Sequence, residues 1–386
     1  MSEGQSDESL EEIDSPRQQY DKPYREFQAR EGLPVHEGWA VEDVRSVAVD
    51  DWERTGGRGA FVNLRGMEHA CDVQVHEIPP GEALEPQRHL YEALVFVVSG
   101  SGFTTIGEGE DANTFEWSKD SLFYLPHNTR YVHTNAEGDE PARLLASTSA
   151  PLLYTLFRND QAIWNVEDYD QWSVIGEEDY YSSVAQLKSA DDTRTYWDAN
   201  FVPDVAGFDN LAEWDARGVG NKSVFFPFRG SAMDSHISEF ESGRYKKAHR
   251  HMSGANVMLL SGEGYSLMWR EGEPEEKVRV DWEPYTLFTP PTMFYHQHFN
   301  TSEEPARYVV FHGPQQGTGL QRGAAISSDL PENQIEYHQE DPEVRETFQR
   351  ELDAAGVENQ MDEGIYERAE DAEDLFNAEG RGGTDD

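Results

Sequence analysis

The sequence predicts an all-β fold made of two tandem β-barrels with a few peripheral helices. The first observation is an internal repeat whose offset stays between 162 and 165 residues. Its matching segments are VVSGSGFTTIGEGE with LLSGEGYSLMWREGE, FEWSKDSLFYLP with VDWEPYTLFTPP, and HTNAEGDEPAR with HFNTSEEPAR. The second observation is that each copy consists of short segments rich in β-branched and aromatic residues, broken by Gly, Pro, Asn and Asp. This pattern is typical of antiparallel sandwiches and barrels, and the ordered repeat indicates two copies of one domain.

The repeat divides the chain into five parts. The amino terminus is acidic and poor in apolar residues, so we expect it to be disordered. The segment DPEVRETFQRELDAAGV predicts an amphipathic helix, because Val344, Phe348 and Leu352 are spaced by four. The predicted boundaries are 1–20 for the disordered acidic tail, 21–156 for the first barrel, 157–224 for a connecting segment, 225–330 for the second barrel and 331–386 for an acidic helical tail.

The charge of the chain narrows the classes of partner. The 386 residues carry a formal net charge of −44, from 75 acidic and 31 basic side chains, and lysine is scarce among the basic ones. Acid spread along the whole chain resembles the halophilic surfaces of haloarchaeal proteins, which stay hydrated where salt screens the repulsion. Such a surface repels phosphate backbones and anionic lipids. We therefore expect neither nucleic acid nor a membrane as a partner.

The sequence also predicts a cytoplasmic protein. Cys71 is the single cysteine, which excludes an internal disulfide framework. No apolar run approaches the roughly 20 residues needed to span a bilayer. The amino terminus, MSEGQSDESLEEIDSP, has no basic-then-apolar signal pattern.

The stretch KKAHRHMSGANVMLLSGEGY, residues 246–265, contains two candidate metal ligands. Side chains alternate along a β-strand, so His249 and His251 project to one face, together with Tyr245 and Lys247 if the strand extends that far. Two imidazoles at this spacing suit two adjacent positions around a metal ion. Surface histidines at the same spacing are also common, so the pair alone is a weak signal.

The residues around this pair follow a two-part pattern. A G-x5-H-x-H segment begins at Gly243, and a P-x4-H-x3-N segment begins at Pro291. Together they resemble the signature of the cupin superfamily, over about 60–155 and 225–315. The resemblance implies double-stranded β-helix (jelly-roll) barrels. It also implies that the metal ligands, in the second barrel, are His249, His251 and His296.

The candidate site departs from the cupin pattern at two positions. Cupins usually carry a glutamate ligand four or five residues after the second histidine, where this chain has Ala255 and Asn256. Met293 replaces a glycine that is usual in the second segment, which concerns turn geometry rather than ligation. Three neutral imidazoles leave the full charge of a divalent ion and open positions for an anionic ligand, which suits Fe(II) and oxygen chemistry. Mn(II), Ni(II) and Zn(II) are alternatives, because three imidazoles select poorly among metals.

The first barrel has lost this ligand set. Its H-x-H positions read Gln87-Arg88-His89, and Tyr131 stands where the second copy has His296. Glutamine and neutral tyrosine are poor metal ligands. The alternative is that the first barrel does bind a metal, with His133, two residues beyond Tyr131, as the substitute ligand. We predict a structural or dimer-forming role for this barrel, and a homo-oligomeric protein.

A two-barrel chain with an all-histidine site resembles the gentisate 1,2-dioxygenase family and its salicylate and hydroxynaphthoate relatives. The segments HMSGA and HLYEA match the alanine and small polar residue that this family has in place of the glutamate. The resemblance implies Fe(II), a ring-cleaving dioxygenase reaction and a small anionic, hydroxylated aromatic acid as substrate. One difference is that the family normally holds its iron in the amino-terminal barrel, whereas the complete set here lies in the carboxy-terminal one.

Four residues near the ligands are candidates for contacts with substrate. Lys247 is the candidate partner of a substrate carboxylate, with a surface lysine on an edge strand as the alternative. His298, on the same face as His296, is the candidate catalytic residue, either as a hydrogen-bond donor or as a base; a histidine packed between the sheets is the alternative. Tyr245 and Trp269 are the candidate substrate-binding aromatics, with ordinary core packing as the alternative for Trp269.

Two other functions fit the same residues. A non-oxidative isomerase or decarboxylase would use the three-histidine site as a Lewis acid that polarises a carbonyl. A non-enzymatic bicupin that binds a small ligand is the third interpretation. A complete ligand set in one copy beside a broken set in the other weighs against it. Consumption of O2 distinguishes the dioxygenase from the non-oxidative enzyme.

Overall fold

The structure, a computed structural model, describes most of the chain between Lys22 and Glu367. The described ranges are 22–67, 70–109, 112–166, 179–183, 187–189, 195–251, 254–314 and 333–367. The predicted acidic tail 1–20 and the end of the chain therefore lie outside the described residues. None of the helices in the described ranges is both long and apolar enough to cross a membrane.

Short strands dominate the described residues, as the all-β prediction requires. In the first half they are β1 Val35–Gly38, β2 Ala40–Val41, β3 Asp50–Trp52, β4 Gly57–Leu64, β5 Asp72–Ile78, β6 Ala93–Ser99, β7 Ser101–Ile106, β8 Asn113–Ser118, β9 Leu122–Leu125, β10 Tyr131–Asn135 and β11 Ala142–Thr148. The connection contributes β12 Leu187–Ser189, β13 Thr195–Trp197, β14 Phe201–Val202 and β15 Ala212–Glu213. The second half has β16 Asn221–Phe226, β17 Asp234–Phe240, β18 Ala248–His249, β19 Ala255–Ser261, β20 Gly264–Trp269, β21 Val278–Trp282, β22 Leu287–Phe288, β23 Tyr295–Asn300, β24 Ala306–His312 and β25 Gln334–Ile335.

Three α-helices accompany the strands in the described ranges: α1 Lys22–Glu31, α2 Ala150–Phe157 and α3 Pro342–Ala355. Where it is described, the connection forms short strands and two 3-10 turns, Asp160–Ala162 and Asp215–Arg217. Strand β16 begins shortly before the predicted start of the second barrel at 225.

The strands form two barrels of the same design. In the first, a large sheet ordered β1-β4-β5-β11-β6-β9-β14, with β3 beside β4, faces a small sheet ordered β10-β7-β8. In the second, the large sheet is ordered β12-β13-β16-β17-β24-β19-β22-β2, with β15 beside β16, and the small sheet is ordered β21-β20-β23-β18-β25. The central orders β4-β5-β11-β6-β9 and β16-β17-β24-β19-β22 correspond strand for strand. The prediction of two tandem barrels is confirmed.

Each barrel takes an edge strand from outside its own segment. Strand β2 lies in the first half of the chain but pairs with β22 of the second barrel. Strand β14, which follows the first barrel in the chain, pairs with β9 of that barrel and continues its large sheet. The chain segments that carry β2 and β14 are thus exchanged between the barrels. Each of these strands covers a sheet edge that would otherwise be unpaired.

Alternation of side chains along the strands separates three apolar cores. On the large sheets, Phe96 and Met258 belong to one extensive cluster that includes residues of both barrels. Their neighbours Val95 and Val257 point the other way, into separate clusters inside the first and second barrels. The large sheets thus pack against each other, while each barrel keeps an interior of its own.

Helix α3 covers the outer face of the second small sheet. The residues predicted to form its apolar face, Val344, Phe348 and Leu352, are buried, which confirms the predicted helix. The Asp341 side chain accepts from the backbone N–H of Glu343 and caps the amino terminus of the helix.

Glu340, just before α3, is partly buried against the same sheet. It accepts hydrogen bonds from Tyr245 Oη at 2.5 Å and from Gln297 Nε2 at 2.9 Å. Burial raises the pKa of Glu340 to about 7, although both hydrogen bonds oppose the rise.

In the unfolded chain the pKa of a glutamate side chain is about 4.3. The native state therefore keeps a proton on Glu340 at pH values where the unfolded chain has lost it. We expect the free energy of unfolding to fall by on the order of 3 kcal/mol as pH rises from about 4.5 to about 7.5 because of this group. Glu340→Gln should remove that part of the pH dependence. Chemical unfolding of both proteins across this range at constant salt measures it, and identical slopes would contradict the assignment.

Candidate metal centre

The three histidines predicted as ligands converge inside the second barrel. His249 ends β18 and is paired in register with His296 of β23, and His251 follows two residues after His249. One nitrogen from each of the three rings lies within 4.8 Å of the others. In the described part of the chain, this is the one group of three or more potential ligand side chains that could share an ion.

Backbone carbonyl groups orient two of these rings. Nδ1 of His249 lies 3.1 Å from the carbonyl oxygen of Lys247, and Nδ1 of His296 lies 3.1 Å from that of Phe294. A carbonyl oxygen only accepts, so each Nδ1 carries the hydrogen and each Nε2 keeps its lone pair for a metal. Burial, with the neighbouring positive groups, holds the pKa of both imidazoles well below 6.5. The rings are therefore neutral at neutral pH, as ligation requires.

The donor set fits a divalent transition metal. Bonds of about 2.1 Å from imidazole nitrogen to one ion require nitrogen separations of about 3 to 4 Å. The three nitrogens lie within 4.8 Å of one another, so small side-chain movements suffice to bring them to that separation. Neither residue at the usual glutamate position supplies a fourth ligand. Ala255 faces the barrel interior but ends at Cβ. The Asn256 amide points away from the interior: it donates to Ser147 Oγ of the first barrel at 3.3 Å and accepts from Thr289 Oγ1 of its own barrel at 2.7 Å.

Met293 makes the turn in which a glycine was expected. Its φ is +61°, in the left-handed region, and its backbone N–H donates to the carbonyl oxygen of His251 at 2.8 Å. The first barrel repeats this with Asn128, whose φ is +52° and whose N–H donates to the carbonyl oxygen of His89 at 2.6 Å. The turn thus anchors the strand that carries the second histidine position in both copies.

The predicted face of Tyr245 and Lys247 is wrong. Tyr245 packs outside the barrel against Phe299 and helix α3, and Lys247 pairs with Glu336 at 2.8 Å. The strand before His249 is irregular, because its pairing with β23 shifts by one residue between the bridge from Tyr245 to Phe299 and the pair formed by His249 and His296. This irregularity shifts the alternation by one residue.

The shift turns Lys246, rather than Lys247, into the barrel. Its ammonium group donates to Ser238 Oγ and Tyr308 Oη, both at 2.6 Å, and it is buried. Both partners are neutral, and no carboxylate among the described residues pairs with it. Burial, together with the charge of Arg217, lowers the pKa of Lys246 well below 10.5. Burial thus favours the neutral amine, and an anion bound beside it would favour the protonated, positively charged form.

Trp269 also faces away from the ligands. It is paired in register with Tyr295, whose side chain points opposite to that of the adjacent His296. Trp269, Tyr295 and Ala248 form a small buried cluster outside the barrel. The alternative of ordinary core packing therefore describes Trp269, and the inward position beside it belongs to Met268.

His298 does lie beside the ligands. Its ring centroid is 5.7 Å from that of His296, and its Nδ1 is 2.7 Å from Ser266 Oγ. Two further histidines, which the sequence motifs did not indicate, lie near the site. His236 Nδ1 and His312 Nε2 are 2.8 Å apart, and the His312 ring is 6.4 Å from that of His251. His236 lies on β17 and His312 on the adjacent strand β24. Pairing of these two strands, as expected from the repeat, could have indicated that the two histidines lie close together.

The first barrel replaces ligation by hydrogen bonds. Gln87 is bridged to Tyr131 as His249 is paired to His296, which supports the predicted alignment. His89 Nδ1 donates to the carbonyl oxygen of Tyr91 at 2.8 Å, and its Nε2 accepts from Tyr131 Oη at 2.8 Å. The lone pair that would bind a metal is thus already occupied.

Comparisons with known proteins concern the family and the fold. Residues 74–148, which lie in the first barrel, match the family model described as a Cupin domain. No curated protein matches the chain. A mutant of Bacillus subtilis oxalate decarboxylase is similar in structure, with 13% identity over 70% of this chain and 76% of that one and a TM-score of 0.47. Vicilin from Solanum lycopersicum (tomato) is similar with 11% identity over 72% of this chain and 85% of that one and a TM-score of 0.45.

Proposed function

We propose that this two-barrel cupin protein is a metal-dependent enzyme whose second barrel uses Fe(II) and O2 to cleave a small anionic, hydroxylated aromatic acid. One observation carries the proposal: three neutral imidazoles converge in the barrel that also holds the buried side-chain amine of Lys246, which an anionic ligand would keep protonated. Neither the ligand set nor the ammonium group has a carboxylate among the described residues. The interior is therefore suited to an anion supplied from outside.

The choice of metal follows from the donor set. His249, His251 and His296 leave a divalent ion its full charge and open positions, a combination that suits Fe(II) and O2. Mn(II), Ni(II) and Zn(II) suit imidazole as well, so the identity of the metal is part of the test. A redox-active ion bound there supplies the electron transfer that a reaction with O2 requires.

The side chains of the barrel bind and orient the substrate. Lys246 supplies a positive charge to the carboxylate, and the bound anion offsets the cost of burying the ammonium group. Ala255 leaves space where a glutamate side chain would otherwise compete with the anion. His298 supplies a polar group next to the ligands.

Metal analysis and oxygen uptake test the proposal. Protein purified without oxygen at high salt should contain close to one transition-metal ion per chain. It should consume O2 when mixed with one member of a panel of hydroxylated aromatic acids. Turnover without O2 uptake would instead favour an isomerase or decarboxylase that uses the same ion as a Lewis acid. Metal-free protein, or metal with no turnover in the panel, would contradict the proposal.

A further inference from the structure

A chain of two hydrogen bonds runs behind His298. Trp282 Nε1 donates to Ser266 Oγ at 3.0 Å, and Ser266 Oγ lies 2.7 Å from His298 Nδ1. All three side chains are buried, and Ser266 is completely so. The arrangement determines which ring nitrogen of His298 carries the hydrogen.

The direction of the second bond follows from the first. An indole N–H only donates, so Ser266 Oγ accepts from Trp282 and must place its own hydrogen elsewhere. Among the described residues, its acceptor is Nδ1 of His298. If that nitrogen carried a hydrogen instead, the Ser266 hydroxyl would be a buried donor without an acceptor, which is unfavourable. Nδ1 therefore accepts, and the hydrogen of the neutral ring is on Nε2.

We infer that Ser266 and Trp282 are positioning residues that hold His298 as its Nε2–H tautomer, so that His298 donates a hydrogen bond to the anionic substrate. This inference rests on the proposed function for the identity of the acceptor. It also decides between the two predicted roles of His298, since a nitrogen that already carries hydrogen does not serve as a base. Together, His298 and Lys246 offer an anion one neutral donor and one charged donor.

The first barrel has the same chain of bonds without a complete ligand set. Trp117 Nε1 donates to Thr104 Oγ1 at 2.9 Å, and Thr104 Oγ1 lies 2.7 Å from His133 Nδ1. Thr104 makes the same two hydrogen bonds in the first barrel that Ser266 makes in the second. Ser266→Thr is therefore a conservative variant that should keep both bonds. Thr104→Ala is the matched control, because it breaks the equivalent bond away from the candidate metal centre.

The test uses full-length protein loaded with Zn(II), with 15N in the histidine rings. In the wild type, NMR should show His298 with hydrogen on Nε2 and a bare Nδ1. Ser266→Ala should mix the two tautomers and weaken salicylate binding, measured by calorimetry, roughly tenfold. Ser266→Thr should restore both, and the zinc content should stay unchanged in each. Thr104→Ala should change the His133 signals and leave salicylate affinity unchanged.

Two results would overturn the inference. One is a wild-type His298 with hydrogen on Nδ1. The other is a Ser266→Ala variant whose tautomer or salicylate affinity equals that of the wild type. Failure of the proposed function has a different signature: the wild type would show the Nε2–H signal but bind no salicylate, and oxygen uptake would be absent.

Discussion

His296→Ala should remove most of the bound metal while the fold is retained. His296 is one of three candidate ligands and is paired in register with a second, His249. Two remaining imidazoles hold a divalent ion far more weakly. The affinity loss should exceed the roughly 10–100-fold that follows removal of a group which only orients a ligand. Metal per chain by mass spectrometry, with circular dichroism as the measure of folding, gives the result.

His89→Ala is the matched control for that variant. His89 occupies the place of His251 in the first barrel, but its Nε2 accepts from Tyr131 Oη. Its removal should lower the thermal midpoint, since a buried hydrogen bond and packing are lost, and leave metal content nearly unchanged. Equal metal losses in the two variants would show that the assignment of the metal centre to the second barrel is wrong.

Lys246→Leu should have the second-largest effect, on affinity for anionic substrate. Removal of a buried cation from an anion should cost about 2–4 kcal/mol, or roughly 30- to 1,000-fold in kcat/KM or in binding. A leucine fits there, because Leu84 holds the equivalent position in the first barrel. Its N–H donates to the carbonyl oxygen of His133 just as that of Lys246 donates to that of His298. Metal content should be unchanged, since an ammonium group is not a ligand.

Lys247→Leu distinguishes the two adjacent lysines. Lys247 is paired with Glu336 outside the barrel, and exposed or partly exposed ion pairs contribute up to about 1 kcal/mol. Its loss should change affinity for the acid less than about threefold. Titration of Zn(II)-loaded protein with salicylate compares both variants directly. A large effect at Lys247 with none at Lys246 would reverse the assignment made from the irregular strand.

The sequence predicted what depends on regular spacing. The repeat offset located both barrels, the H-x-H and P-x4-H-x3-N segments located His249, His251 and His296, and a spacing of four located helix α3. Each of these follows from a period that the chain maintains. The missing glutamate was also visible, although the way Ala255 and Asn256 divide between two faces was not.

The errors came from places where a period is interrupted. Alternation assigned Tyr245 and Lys247 to the ligand face, but one irregular residue reverses that assignment, and nothing in the local sequence marks it. Trp269 belongs to a strand whose two faces are both buried, so its apolar character did not indicate its direction. The polar residues Ser266 and Thr104 inside apolar strands, repeated in both copies with a tryptophan downstream, were a signal that could have been used.

The exchanged edge strands β2 and β14 make the stability of the two barrels a shared property. Cleavage of the chain just before β14 would put the outer neighbours of β9 and β22 on the other fragment, so that each strand could lose the partner on one edge. Such open edges invite pairing with other molecules. A ligand that binds only the folded form stabilises everything that unfolds with it. An ion bound in the second barrel would then protect the first from proteolysis, although the first has no complete set of ligands of its own.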